Sequence, residues 1–152
     1  MAAVVHRHRA HQLPDIQLLH SSRKKERHML SYTKTFSSFS VDDLQRARTF
    51  YGELLGLSIK ESPEGLDVQL NGGGSLFIYL KENHQPATFT VLNFIVDDVD
   101  RAVADLKQSG VTFEMYDELH LKTDEQGIAR GHGPTIAWFK DPAGNFLSVL
   151  KP

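Results

Sequence analysis

The chain has 152 residues, a formal net charge of −2, 40% hydrophobic and 24% charged residues. These are the proportions of an ordinary globular protein of one domain, or of two small halves fused into one. It has no cysteine, so disulfides, thiolate zinc sites and a cysteine nucleophile are excluded, and a reducing, cytoplasmic setting is compatible with the sequence.

No apolar run approaches the roughly 20 residues of a membrane helix. The charge is uneven. Residues 1–30 carry six basic side chains against two acidic ones, and the remainder 11 against 17. An acidic body argues against nucleic acid, whose affinity rests on Lys and Arg at phosphates. The first thirty residues also hold His6, His8, His11, His20 and His28. Three readings of them compete: a disordered tail, a stretch ahead of a natural start at Met29, or a targeting peptide, since the stretch is basic and lacks a secretory apolar core. The spacing His6-x-His8-x-x-His11 suits only adventitious metal. The domain is expected over residues 31–152, as a first module at 31–82 and a second at 88–151.

In chain order, Phe36, Phe39 and Val41 alternate as in a strand. Asp42 is placed to cap a helix, with Gln45 at the capping-box spacing and Asp43 in the first turn. Leu44, Ala47, Phe50, Tyr51 and Leu54 recur at helical spacing, and Gly56 stands where a helix C-terminus needs a left-handed residue. Strand-like runs follow at Leu57–Lys60, Leu66–Leu70 and Ser75–Leu80, the last two joined by an Asn-Gly-Gly-Gly turn at 71–74. The linker Lys81–Ala87 holds His84, expected at the surface. Val91–Val96 then reads as a strand, Asp97 as a cap, and Val99, Ala102, Val103 and Leu106 as a helix face closed by Gly110. Val111–Tyr116, Thr135–Lys140 and Phe146–Leu150 are strand-like, the last two joined by the hairpin Asp141-Pro142-Ala143-Gly144-Asn145.

The two halves are a repeat. Phe39 matches Phe94, Val41-Asp42-Asp43 matches Val96-Asp97-Asp98, and Arg46-Ala47 matches Arg101-Ala102, all at an offset of 55. One βαβββ unit is used twice, and the paired aspartates are accounted for by helix capping. Asp117–Pro134 departs from the repeat. It is long for a connection, and its glycines would let it fold as a lid. It carries His120, Arg130 and His132; a guanidinium there could clamp a carboxylate or phosphate.

Residues 41–57, with Val-Asp-Asp-Leu, Arg-Ala, Phe-Tyr and Leu-Leu-Gly-Leu, and the closing run Trp138–Asn145 resemble the vicinal-oxygen-chelate superfamily of glyoxalases, bleomycin-resistance proteins and extradiol dioxygenases. The resemblance spans about residues 32–151. It implies an α+β fold in which two tandem βαβββ modules form a cupped, barrel-like mixed sheet around a small molecule. It also implies a homodimer, and in catalytic members a divalent metal in the cup. The positions the metal's ligands would take are Phe36, Val91, Ser148 and Ile78 (or its neighbour Tyr79), and none of Phe36, Val91, Ile78 or Ser148 suits a divalent ion. No cofactor is therefore expected at the usual site. A displaced metal near His120, His132, Glu114, Asp117 and Asp124 stays open.

The expected cup lining is Phe36, Ser38, Phe77, Tyr79, Asn93, Tyr116, Arg130 and Trp138. Two functions follow from the resemblance. One is a module that binds or sequesters a small aromatic or oxygen-rich molecule, cationic or neutral to suit the acidic body. The other is a glyoxalase- or dioxygenase-type enzyme (a lyase, isomerase or oxygenase) with Tyr116, His120 and His132 as acid–base groups. An interaction protein with a vestigial cup is a third.

Overall fold

A computed structural model describes residues 30–152; the histidine-rich extension and the question of Met29 lie outside the described residues. Lys34–Pro152 forms one unit. Its elements in order are β1 Ser37–Val41, α1 Leu44–Arg48 continued by a π-helical turn Thr49–Leu54, β2 Ser58–Ser62, β3 Gly65–Gln69, β4 Ser75–Leu80, β5 Thr90–Ile95, α2 Val99–Gln108, β6 Asp117–Glu118, β7 Leu121–Lys122, β8 Ile128–Ala129, β9 Thr135–Lys140 and β10 Phe146–Lys151.

Each module makes its own four-stranded mixed sheet, in the orders β1-β4-β3-β2 and β5-β10-β9-β8. The sheets are not closed into a barrel. Within each, the first strand runs parallel to the last: Ser38 pairs with Phe77, and Asn93 pairs with Ser148. Because Ser38 and Asn93 are repeat partners, the first-module counterpart of Ser148 is Phe77. This corrects the expectation of Ile78, whose side chain is fully buried in the core. A one-residue shift of register exchanges the two faces of a strand.

The helices begin one residue later than the sequence suggested. Asp43, not Asp42, caps α1 by accepting from Arg46 N at 2.9 Å, and Asp98, not Asp97, caps α2 by accepting from Arg101 N at 3.0 Å. Each takes one of the unpaired N–H groups of a first helical turn. After Arg48 the first helix widens, and Leu55 N donates to Phe50 O at 2.9 Å, an i to i−5 bond. The adjacent Phe50 and Tyr51 are both buried there, their rings edge to face at 5.0 Å.

The second sheet differs from the first at its edge. The expected strand Val111–Tyr116 is reduced to a bridge between Phe113 and Phe139 and a bond from Glu114 N to Trp138 O at 2.8 Å. The chain then leaves the edge of β9, makes the β6–β7 hairpin, and returns to the same edge as β8, which pairs with Ile136 and Ala137. Gly127 permits the return. Its φ is +88°, and a Cβ there would lie 3.0 Å from the Phe113 Cβ.

One core joins both modules. Phe50 of the first helix packs on Phe139 of β9 at 6.4 Å, and the Tyr51 hydroxyl donates to Asp141 Oδ2 at 2.7 Å. Burial, reinforced by the Asp141 charge and hydrogen bond, raises the Tyr51 phenol far above its ordinary value, so it remains a donor. Replacing Tyr51 by Phe removes a charge-assisted bond and leaves a buried carboxyl oxygen short of a donor. The expected cost is about 1.5–3 kcal/mol, read as a fall in the urea midpoint at constant slope; an unchanged midpoint would remove this link from the account.

Candidate ligand-binding face

Alternation along the strands gives each sheet a core face and an outer face. In the first sheet Leu66, Val68, Leu76 and Ile78 are buried against the core. Ser38, Ser40, Asp67, Gln69, Phe77 and Tyr79 therefore occupy the other face. Phe77 lies over Gly65, because a Cβ at residue 65 would come within 3.1 Å of its ring carbons and 2.2 Å of Ile78 O. Glycine is what lets the ring settle against β3. The Tyr79 ring follows it at 6.2 Å and 16°. Above this floor is a cavity of about 630 Å³, bordered by Lys34, Phe36, Ser62, Glu64, Asp67, Gln69, Ser75 and Phe77.

The outer face of the second sheet is arranged differently. Trp138 pairs in register with Ser148 of β10, yet its indole N–H donates at 3.2 Å to Thr90 Oγ1 on β5, the strand beyond. The indole thus spans β10. Ser148 is fully buried and donates to Asn93 Oδ1 at 2.5 Å. Tyr116 meets the indole edge to face at 5.6 Å. The centre of this face is filled by the protein's own side chains, whereas the face of the first sheet is open.

The residues expected to share one cup are thereby divided. Phe36 and Phe77 border the 630 Å³ cavity. Ser38 and Tyr79 border a cavity of about 390 Å³ where β1 approaches the start of β5, together with Phe89, Thr90 and Asn145. Asn93 borders a third, of about 460 Å³, between β5 and the ends of β2 and β3. Tyr116 and Trp138 pack on each other. Arg130 faces α2: its guanidinium bonds Asp100 bidentately at 2.5 and 3.2 Å and Asp124 at 3.1 Å. Three of its N–H donors, one on each nitrogen, are engaged by these carboxylates.

His120, in the turn of the β6–β7 hairpin, and His132, in the turn before β9, are both exposed. Among the described residues no hydrogen bond links Tyr116, His120 and His132. Burial, and then the charges of Glu114 and Glu118, raise the Tyr116 phenol, so near neutrality it donates rather than abstracts a proton. His84, expected at the surface, is half-buried and bonds Ser40 Oγ at 2.7 Å and Ala143 O at 3.0 Å. Sequence spacing gave no sign of these partners, one 44 residues upstream and the other 59 downstream.

The residues at the metal positions do not fit a divalent ion. Phe36, Phe77 and Val91 have no donor atom, and the Ser148 hydroxyl is bonded to Asn93. Among the described residues no three His, Asp or Glu side chains gather to hold one.

The excursion 115–127 is fastened by carboxylates. Asp124 Oδ1 accepts from the N–H groups of Gln126 and Ile128, at 2.9 and 3.0 Å, and its other oxygen holds Arg130. The Asp124 carboxyl is held below its ordinary value of 3.8 chiefly by the Ile128 N–H, and that of Asp100 by Arg130. With both values depressed in the folded protein, this fastening is fully present above pH 3.8 and is lost as pH falls through the lower folded values. Amide exchange at Gln126 and Ile128, referred to the intrinsic rate, is expected to accelerate on acidification before the core amides of Val68 and Val149 do; a simultaneous change would contradict local fastening.

The sequence profile of the glyoxalase/bleomycin resistance protein/dioxygenase superfamily matches residues 33–149. No curated protein matches. Among solved structures, a glyoxalase/bleomycin resistance protein from Streptomyces sp. CB03234 is 25% identical over 77% of this chain and 100% of its own, with a TM-score of 0.54. TnmS3, described as an antibiotic binding protein from the same organism, is 25% identical over 81% of this chain and 99% of its own, with a TM-score of 0.59. A putative glyoxalase family protein from Bacillus anthracis, 22% identical over 81% and 98% with a TM-score of 0.57, shares the fold.

Proposed function

Because the chain belongs to the glyoxalase/bleomycin resistance protein/dioxygenase superfamily, we propose that it is a cytoplasmic small-molecule binding protein of that family. It holds a flat aromatic ligand on the open face of its first sheet and works as a homodimer. The observation that carries the reading is the contrast between the two sheets. The second spends Trp138 and Tyr116 on covering its own centre. The first presents Phe77, packed over Gly65, beneath a cavity of about 630 Å³ with a polar rim. A concave site with an apolar floor and a few directional polar groups is the usual form of a small-molecule pocket. The likeness to an antibiotic binding protein supports binding without chemistry, and so does a donor set unsuited to a divalent ion.

Calorimetric titration with planar aromatics such as genistein tests this. Binding is expected, with a rise in melting temperature by mass action, and Phe77→Ala is expected to weaken it about tenfold or more, a change of about 1.4 kcal/mol. Tight binding that ignores Phe77→Ala would move the site elsewhere, and conversion of a ligand to product would favour an enzyme.

The dimer rests on apolar side chains left in the open. Phe36 is 66% exposed, Phe89 68% and Ile95 74%, and each lines one of the three cavities. Two-fold pairing is the commonest way to cover such surface. Light scattering is expected to give twice the chain mass of 17.1 kDa; a value of one chain mass at tens of micromolar protein would end the proposal.

A further inference from the structure

Two of the cavities share one lining residue. Gln69, the last residue of β3, borders both the 630 Å³ cavity over Phe77 and the 460 Å³ cavity that reaches β5. Their chemistry differs. The first is rimmed by the ionisable groups Lys34, Glu64 and Asp67. The second has no ionisable side chain in its lining. Its polar groups are the carboxamides of Gln69, Asn71 and Asn93 and the hydroxyl of Ser58, and its apolar part is Leu57, Leu70, Leu92 and Phe94. Asn93 already accepts from Ser148 through Oδ1, which leaves its amide N–H groups as donors. A carboxamide both donates and accepts without carrying charge, so this set matches a neutral partner dense in hydroxyl or amide groups better than an ion.

We infer that the ligand is bipartite: a flat aromatic head on Phe77, joined past Gln69 to an uncharged, hydroxyl- or amide-bearing arm that lies in the second cavity. The inference rests on the binding reading above and gives it a ligand class. It also gives β5 a part in recognition. The first-module sheet supplies the head site, and Asn93 brings the second module to the arm. Gln69 stands at the junction, where its side chain serves either portion.

Matched pairs of probes separate the two portions. The isoflavones daidzein and genistein supply a planar head alone; their O-glucosides daidzin and genistin add a neutral polyhydroxyl arm. All four are titrated calorimetrically into the full chain. The glucosides are expected to bind about tenfold more tightly than the aglycones. The double variant Ser58→Ala, Asn71→Ala removes exposed or nearly exposed groups of the arm site and is expected to bring the glucosides down to the level of the aglycones, with the melting temperature of the free protein unchanged. Phe77→Ala is expected to weaken all four. Aglycones that bind as well as or better than their glucosides would overturn the bipartite ligand and leave the binding reading standing. A glucoside preference that survives the double variant would overturn the arm site. Absence of binding by all four up to about 1 mM would overturn the binding reading and this inference together.

Discussion

The two modules are held in one body by the carboxyl group of Asp141. It is buried at the start of the closing hairpin and accepts four hydrogen bonds: from the Tyr51 hydroxyl at 2.7 Å, from Asn145 Nδ2 at 3.0 Å, and from the backbone N–H groups of Ala143 and Asn145 at 3.0 and 2.8 Å. Asn145 Nδ2 also reaches Ser40 O in β1 at 2.9 Å. His84 closes the same joint. The Ala143 carbonyl can only accept, so Nε2 carries the proton, and in the neutral ring Nδ1 accepts from Ser40. Helix, first strand, linker and hairpin thus meet at one polar cluster. A buried carboxyl is costly unless every lone pair is met, and here the partners come from both modules. Separating the modules would leave the hairpin's own three bonds to the carboxyl and remove the Tyr51 donor, together with the Asn145 bond to Ser40 O.

With the joint fixed, the aromatic residues fall into two groups with different work. Phe50, Tyr51, Phe113 and Phe139 pack edge-on or tilted through the interior. Phe77, Tyr79, Tyr116 and Trp138 lie on the outer faces. The repeat makes the contrast between the two faces direct. Phe77 and Ser148 hold the same place in their sheets, as do Ser38 and Asn93. In one sheet the large ring sits on the last strand and leans over a glycine. In the other the last strand carries a small hydroxyl, and the large ring comes from β9 to cover it. One architecture has been given a floor in the first half and a plug in the second.

Much of this fold was legible in the sequence, because the offset of 55 relates strand to strand and cap to cap, and because helical and strand periodicities alternate cleanly along both units. What was not legible depended on distance in space. The caps moved by one residue because Asp42-Asp43 and Asp97-Asp98 each offer two adjacent carboxylates, and which one bonds N3 is settled by the exact helix start. The lost edge strand follows from the excursion after Met115, which no local pattern separates from a strand. The Arg130–Asp100 pairing is invisible to local pattern, since Asp100 lies 30 residues away on α2. Of the expected cup residues, Ser38, Phe77, Tyr79, Asn93 and Trp138 lie on strands, and Phe36, Tyr116 and Arg130 lie just outside them. Pattern alone could not show that two separate sheets would distribute them over three cavities.

The parallel pairing inside each sheet has a consequence for how the chain acquires its shape during synthesis. β1 has no lateral partner until β4 is made, and β5 has none until β10 is made; β10 is an interior strand, with β5 on one side and β9 on the other. Such closures span long stretches of chain and are entropically slow. The first module can complete its sheet at Leu80, while the Asp141 carboxyl that will accept the Tyr51 hydrogen bond is still 61 residues from being translated. A half-made chain therefore carries Tyr51 and Phe50 without their eventual covering, an apolar surface of the kind that recruits chaperones. The polar joint that unites the two modules is, by its position in the message, among the last parts of this domain that can form.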